Sequence, residues 1–132
     1  MMRGLFFVAL AAVSFGFSDR ATAQSYPSRP ISIVVPFPAG GPTDALTRIM
    51  AEHMTALLGQ PVVVENVTGA AGTIATGRVA RASPEGYVLI MGNLSTHVVN
   101  GAVYPLAYDL LKDFEPIALV ASNPQLIVAK RA

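Results

Sequence analysis

The stretch from Ile31 to Asp44 constrains this chain most, because it passes from an apolar strand through a Pro/Gly turn directly into a helix. Ile31, Ile33, Val34 and Val35 form a nearly unbroken β-branched run ended by Pro36, the pattern of a strand buried on both faces. In the turn, Gly40 and Gly41 lack a Cβ, so the main chain can take unusual dihedrals and a ligand can approach it. Thr43 is a candidate N-cap, and the N–H groups and dipole of the helix it opens favour an anion. Taken alone, the stretch fits a carboxylate or phosphate site and an ordinary strand-to-helix connection equally well.

The same arrangement returns twice. Leu46, Ile49, Met50, Met54, Leu57 and Leu58 recur at helical spacing, which predicts an amphipathic helix over about 43–58 that stops at Gly59. A second apolar strand is expected at 61–65, a small-residue turn at 66–72 and a helix over about 73–82 with Arg78 and Arg81 toward solvent. A third strand, 87–91, leads into a polar loop, Gly92 to His97. Three strand-turn-helix units in series predict an α/β fold with a parallel sheet and flanking helices. Beyond Asn100 the pattern loosens into loop and connector, and two further strands are expected at 117–121 and 126–129.

The first residues are read apart from the rest. Met1 to Arg3 form a short basic segment, Leu5 to Phe17 an apolar core and Ala21-Thr22-Ala23 a small-x-small cleavage pattern, so 1–23 is expected to be a signal peptide cut after Ala23. That leader raises the mean hydropathy of +0.50. Removing 23 residues from 132 leaves 109, which suits one modest domain or one lobe of a larger protein. An exported chain with no Cys has neither disulfides nor thiolate chemistry. A net charge of +1 with scattered Lys and Arg argues against nucleic acid as a partner, and no membrane insertion is expected once the leader is removed.

Ligands of open parallel sheets bind outside the carboxyl ends of the strands, where the three loops collect. Glu65 ends the second strand about where a ribose-binding acid would sit, but a G-x-G-x-x-G register from Gly40 meets Pro42 and Ala45. Ser95, His97 and either Asp44 or Asp109 could be drawn as a triad, yet no G-x-S-x-G elbow surrounds Ser95. His53 and His97 lie far apart and the carboxylates are scattered, so neither a metal nor a cofactor is expected. Hydroxyls, glycine backbone and helix N-termini instead suit a protein that holds a small anion without transforming it.

Three runs carry a family resemblance: ValProPheProAlaGlyGlyProThrAsp at 35–44; GlyGlnProValValValGluAsn at 59–66 with ThrGlyAlaAlaGly at 68–72; and TyrProLeuAlaTyrAsp with LeuLysAspPheGluPro within 104–116. Together, and in this order, they resemble the extracytoplasmic substrate-binding proteins of tripartite tricarboxylate transporters, the Bug or TctC family. The resemblance implies a two-lobed, periplasmic-binding-protein-like fold that closes on organic acids and delivers them to membrane permease subunits, without catalysis. It implies that the first loop, Pro38, Ala39, Gly40, Gly41, Thr43 and Asp44, and the second, Thr68, Gly69, Ala70, Ala71 and Gly72, hold a ligand carboxylate through backbone N–H groups, hydroxyls and waters. Asp44 would help fix those waters. Ser95, Thr96 and His97 are the expected contacts to the variable part of the ligand.

The chain departs from the family in two respects. Family members are more than twice as long, so an incomplete first lobe is expected, with the second lobe absent. Ala71 also stands where glycine is usual, and Val67 where a basic or polar residue is common. A truncated receptor, a non-functional gene fragment and a small single-domain α/β enzyme or binding module therefore stay open.

Overall fold

The protein was analysed as a computed structural model that describes residues 25–131, so the expected leader lies outside the described residues. Strand β1 (Ile31–Val35) runs between β2 (Val62–Asn66) and β3 (Val88–Ile90) in the order β2-β1-β3. Both pairings are parallel, with Ile31 opposite Val62 and Ile33 opposite Leu89. Parallel neighbours need a crossover, and helices supply it. Helix α1 (Pro42–Leu58) links β1 to β2, and α2 (Thr73–Ala80) leads from β2 toward β3. After β3 the chain makes a wide helical turn at Ser95–Val99 and continues as the short α3 (Asn100–Val103).

As the sequence predicts, the first strand is the core. Ile31, Ile33, Val34 and Val35 are each 2% exposed or less, while Ser32 is half-buried and donates its hydroxyl to Glu65. Side chains alternate across a strand, so Ile33 and Val34 face opposite layers and both layers are covered. Glu65 also accepts from Arg78 at 2.7 Å. The Ser32 hydroxyl, and after it Arg78, hold its pKa below the usual value, which gives this acid a structural use at the strand end.

Both helices press small residues on the sheet. The buried positions of α1 are Asp44, Thr47 and Ala51, whereas Ile49 and Leu57 of the expected apolar stripe face outward. The hydroxyls of Thr47 and Thr55 bond to Thr43 O and Ala51 O within the helix, so threonine can sit at this surface with its polar atom satisfied. In α2 the buried residues are Ala75, Thr76 and Gly77, while Arg78 and Arg81 are exposed as expected. A Cβ on Gly77 would sit 3.3 Å from the Tyr108 ring, so this glycine admits the segment that follows α3.

Three local expectations are corrected. The N-cap of α1 is Gly41, followed by Pro42 inside the first turn, and Thr43 lies within the helix. Proline has no N–H to satisfy and a φ already helical, so it takes the first position ahead of threonine. The third loop is not irregular throughout, because Ser95–Val99 is helical. Asn93 starts that turn: its Oδ1 accepts from Thr96 N and its own N–H donates to Thr96 Oγ1, a reciprocal cap. The strands expected at 117–121 and 126–129 are not formed, and Ile117, Leu119, Leu126 and Val128 are exposed. A strand exists only in a ladder, and no described element pairs with these residues.

Candidate functional site

All three loops leave the same edge of the sheet, because β1, β2 and β3 are parallel. In the first loop Pro38, Ala39 and Gly40 are exposed, Gly41 and Thr43 are half-buried and Asp44 is only 2% exposed. Asp44 is the latch of this edge. Its Oδ2 accepts from Gly40 N at 2.8 Å and from Arg48 Nε at 3.0 Å, and its Oδ1 from Asn66 Nδ2 at 2.9 Å. The Arg48 guanidinium, then the Gly40 N–H and the Asn66 amide, lower its pKa to about 2, so it is a carboxylate at any physiological pH.

Asn66 carries the latch to the second loop. Its amide also donates to Phe37 O at 3.1 Å, while its Oδ1 accepts from Arg48 at 2.9 Å. Neither Asn66 nor Arg48 is among the site residues expected from the sequence. The signal was present: Arg48 follows Asp44 by one helical turn, and an amide ending a strand beside that turn can reach both. Gly40 N–H is taken up by Asp44, so the main-chain donors left at this loop include Gly41 N–H and those that open the helix. Gly41 caps it with no side-chain hydrogen bond, and its first N–H groups have no acceptor inside the helix.

The second loop is held in an uncommon backbone conformation. Gly69, Ala70, Ala71 and Gly72 all have positive φ, at 120°, 46°, 52° and 87°. Gly72 N donates to Gly69 O and Thr73 N to Ala70 O, closing the turn, whereas the N–H groups of Ala70 and Ala71 have no protein acceptor among the described residues. Thr68, Gly69, Ala70 and Ala71 are exposed, and Gly72 is buried. For a residue with a Cβ, the left-handed region costs about 1 kcal/mol or more. Ala71→Gly is therefore expected to stabilise the protein by roughly 0.5–1 kcal/mol, read as a raised midpoint in urea unfolding; an unchanged or lowered midpoint would refute the strain.

Gly72 joins the loops. A Cβ on it would stand 2.7 Å from the Thr96 methyl and 3.2 Å from Pro36 Cβ, so the first and third loops meet at its backbone. Asn100, 2% exposed, adds a bond from Nδ2 to Ala71 O at 2.9 Å. Thr96 is fully buried, Ser95 is exposed and His97 is half-buried. Burial holds His97 below the usual histidine pKa, so the ring is neutral near pH 7. The structure thus gathers the residues singled out in all three loops along one edge. Asp44, Gly72 and Thr96 lie beneath it, and Ala39, Ala70, Ala71 and Ser95 are exposed.

The chain is similar to proteins of one known family. Residues 46–132 match the family described as tripartite tricarboxylate transporter family receptor. Protein BugT of Bordetella pertussis is 36% identical over 130 residues, covering 97% of this chain and 40% of BugT. The structure is similar to MatC from Rhodopseudomonas palustris with bound malate, at 49% identity and a TM-score of 0.69 over 72% of this chain and 33% of that one. It is also similar to a protein described as a periplasmic transporter, at 46% identity and a TM-score of 0.64, with 67% and 30% of the two chains covered. The chain therefore spans three tenths to two fifths of the length of these relatives. It belongs to the tripartite tricarboxylate transporter receptor family, TctC.

Proposed function

We propose that the chain supplies a carboxylate-holding wall of a periplasmic receptor that captures small organic acids for a tripartite tricarboxylate transporter and passes them to its membrane permease subunits. The observation that carries this reading is the junction of two helix-opening loops on one sheet edge, with main-chain N–H groups at Gly41, Ala70 and Ala71 not consumed by Asp44 or by the turn itself. A carboxylate accepts several such donors at once, and a helix start favours its charge. Pro38, Ala39, Gly40, Gly41, Thr43, Thr68, Gly69, Ala70, Ala71 and Gly72 frame that carboxylate, with Asp44 beneath them. Ser95, Thr96 and His97 border the rest of the ligand. The role is binding, without turnover, and the leader read at 1–23 directs the mature part, 24–132, to the periplasm. Membership in a receptor family and similarity to MatC with malate support both the ligand class and the role.

The test is ligand-linked stability. At a malate concentration tenfold above Kd, mass action adds about 1.4 kcal/mol, or roughly 5 °C in Tm for a domain of this size. Malate should therefore raise Tm, and malamide, the same skeleton without its charges, should not. A Tm that ignores malate, or that rises equally with malamide, would sink the proposal.

A further inference from the structure

We infer that the groove on the flank of α2 is a second binding site, separate from the carboxylate-holding loops, and that it takes a monocarboxylate with a short apolar body whose acid group lies on Arg81. The groove has a volume of about 480 Å³ and runs between α2 and the segment Tyr104–Tyr108. Ala70 lines it beside the second loop, and Ile74, Gly77 and Arg81 continue it along one face of the helix, four residues apart. From Thr73 to Arg81 the helix rises about 12 Å, so Arg81 leaves the backbone at the end of α2 farther from the loops.

The cation of this groove is unused. Arg29, Arg48 and Arg78 each pair with a carboxylate, whereas Arg81 has neither an ion pair nor a hydrogen bond among the described residues. Its side chain folds back over the preceding turn. A Cβ on Gly77 would stand 3.3 Å from Arg81 Nη1, and also 3.3 Å from Cδ1 and Cε1 of Tyr108. Guanidinium and phenol ring therefore flank one opening, floored by a residue without a side chain.

The Tyr108 hydroxyl is buried and has no hydrogen-bond partner among the described residues. Buried polar atoms are nearly always paired, so this one has a partner to gain from solvent or from a ligand. A carboxylate serves both groups. Its two oxygens match the planar fork of a guanidinium, and an oxygen left over, or a water that it holds, accepts from the O–H. The remainder of the groove is apolar, with exposed Ile74 facing the wall of Pro105, Leu106 and Ala107. An alkyl or ring body gains by leaving water there, and a second acid group would lose its hydration without a cation to meet it. Two walls, and a volume within the roughly 300–1,000 Å³ of small-molecule sites, favour a small ligand over a protein surface.

Hexanoate is the probe, titrated into the purified full chain while the Ile74 methyl and Arg81 Nε–H resonances are followed by NMR. Both should shift to saturation with one Kd, and saturating malate should leave that Kd unchanged. Hexanamide has the same body without the charge, and propionate the charge with little body; each should bind at least about tenfold more weakly. Arg81→Gln, followed at the Ile74 methyl, should weaken hexanoate at least about tenfold and leave any response of Tm to malate as in the unaltered chain. No saturable shift, displacement of hexanoate by malate, equal affinity for either comparator, or undiminished binding by Arg81→Gln would each overturn the second site. None of these outcomes bears on the carboxylate wall, which is tested by the malate response itself.

Discussion

Asp44→Ala is expected to lower Tm on the order of 10 °C and to abolish the malate-dependent rise, although Asp44 is buried beneath the mouth of the loops. Its carboxylate is the shared acceptor of Gly40 N–H, Arg48 Nε and Asn66 Nδ2, and Asn66 in turn holds Phe37 O. Removing it leaves three donors short of a partner and frees the first loop from the end of β2. Losing one partner of a buried polar group is more damaging than never having had the pair, because the remaining groups are desolvated without compensation. Circular-dichroism melts with and without malate provide the measurement. A Tm within 2 °C of the unaltered chain, or an intact malate response, would show that the latch does not hold the loops.

The charge of the latch adds a pH signature. The folded pKa of Asp44, about 2, lies below its ordinary 3.8, so the folded state binds the proton less readily than the unfolded chain. The resulting stabilisation is complete above the unfolded value and is lost as pH falls from there through about 2. Asp44→Asn keeps the shape and one acceptor but cannot ionise. Its Tm deficit should therefore be constant at neutral pH and shrink between about pH 4 and pH 2. Glu65 and Asp109 are also held below their usual pKa values, by Ser32 and by Leu111 N–H respectively, so they add to the acid sensitivity of both proteins and cancel in the difference.

Much of this architecture is legible in the sequence, because the period of the apolar residues changes where the structure changes. The β-branched run at 31–35 and the glycines at 40–41 and 59 mark β1, its turn and the end of α1, and each lies where it was read. What escaped reading is set by contacts between distant residues. The buried row of α1 is Asp44, Thr47 and Ala51 rather than the leucine and methionine stripe, because a helix crossing close over a sheet takes small residues whose polar atoms are satisfied locally. The sequence pattern puts Asn66 at the start of the turn, whereas it is the last residue of β2, and only the parallel register of β1 and β2 brings its amide to Asp44 and Phe37. The apolar runs after 116 satisfy a strand pattern, but pattern alone does not supply the neighbouring ladder.

Gly72→Ala is expected to have the largest effect of any single methyl addition at the site, lowering stability by about 3 kcal/mol and Tm by roughly 15 °C. Two separable terms contribute. At φ +87° an L residue is strained wherever it sits, at about 1–2 kcal/mol. The new methyl would also stand 2.7 Å from Thr96 Cγ2 and 3.2 Å from Pro36 Cβ, inside a buried junction, which adds roughly 1–2 kcal/mol of overpacking. A double-mutant cycle separates them. Thr96→Ser removes the obstructing methyl and keeps the hydroxyl that bonds Asn93 and His97. Alone it should cost about 1 kcal/mol for the lost buried methyl. Beside Gly72→Ala it should cost nothing or restore stability, a coupling of at least about 1 kcal/mol, while the backbone term persists. Additive losses in urea unfolding would mean that the loops do not meet at Gly72. Recovery to the stability of Thr96→Ser alone would mean that the left-handed backbone is not strained there. The predicted outcome lies between these limits, since the glycine is required both for the turn of its own loop and for the room it gives the loop opposite.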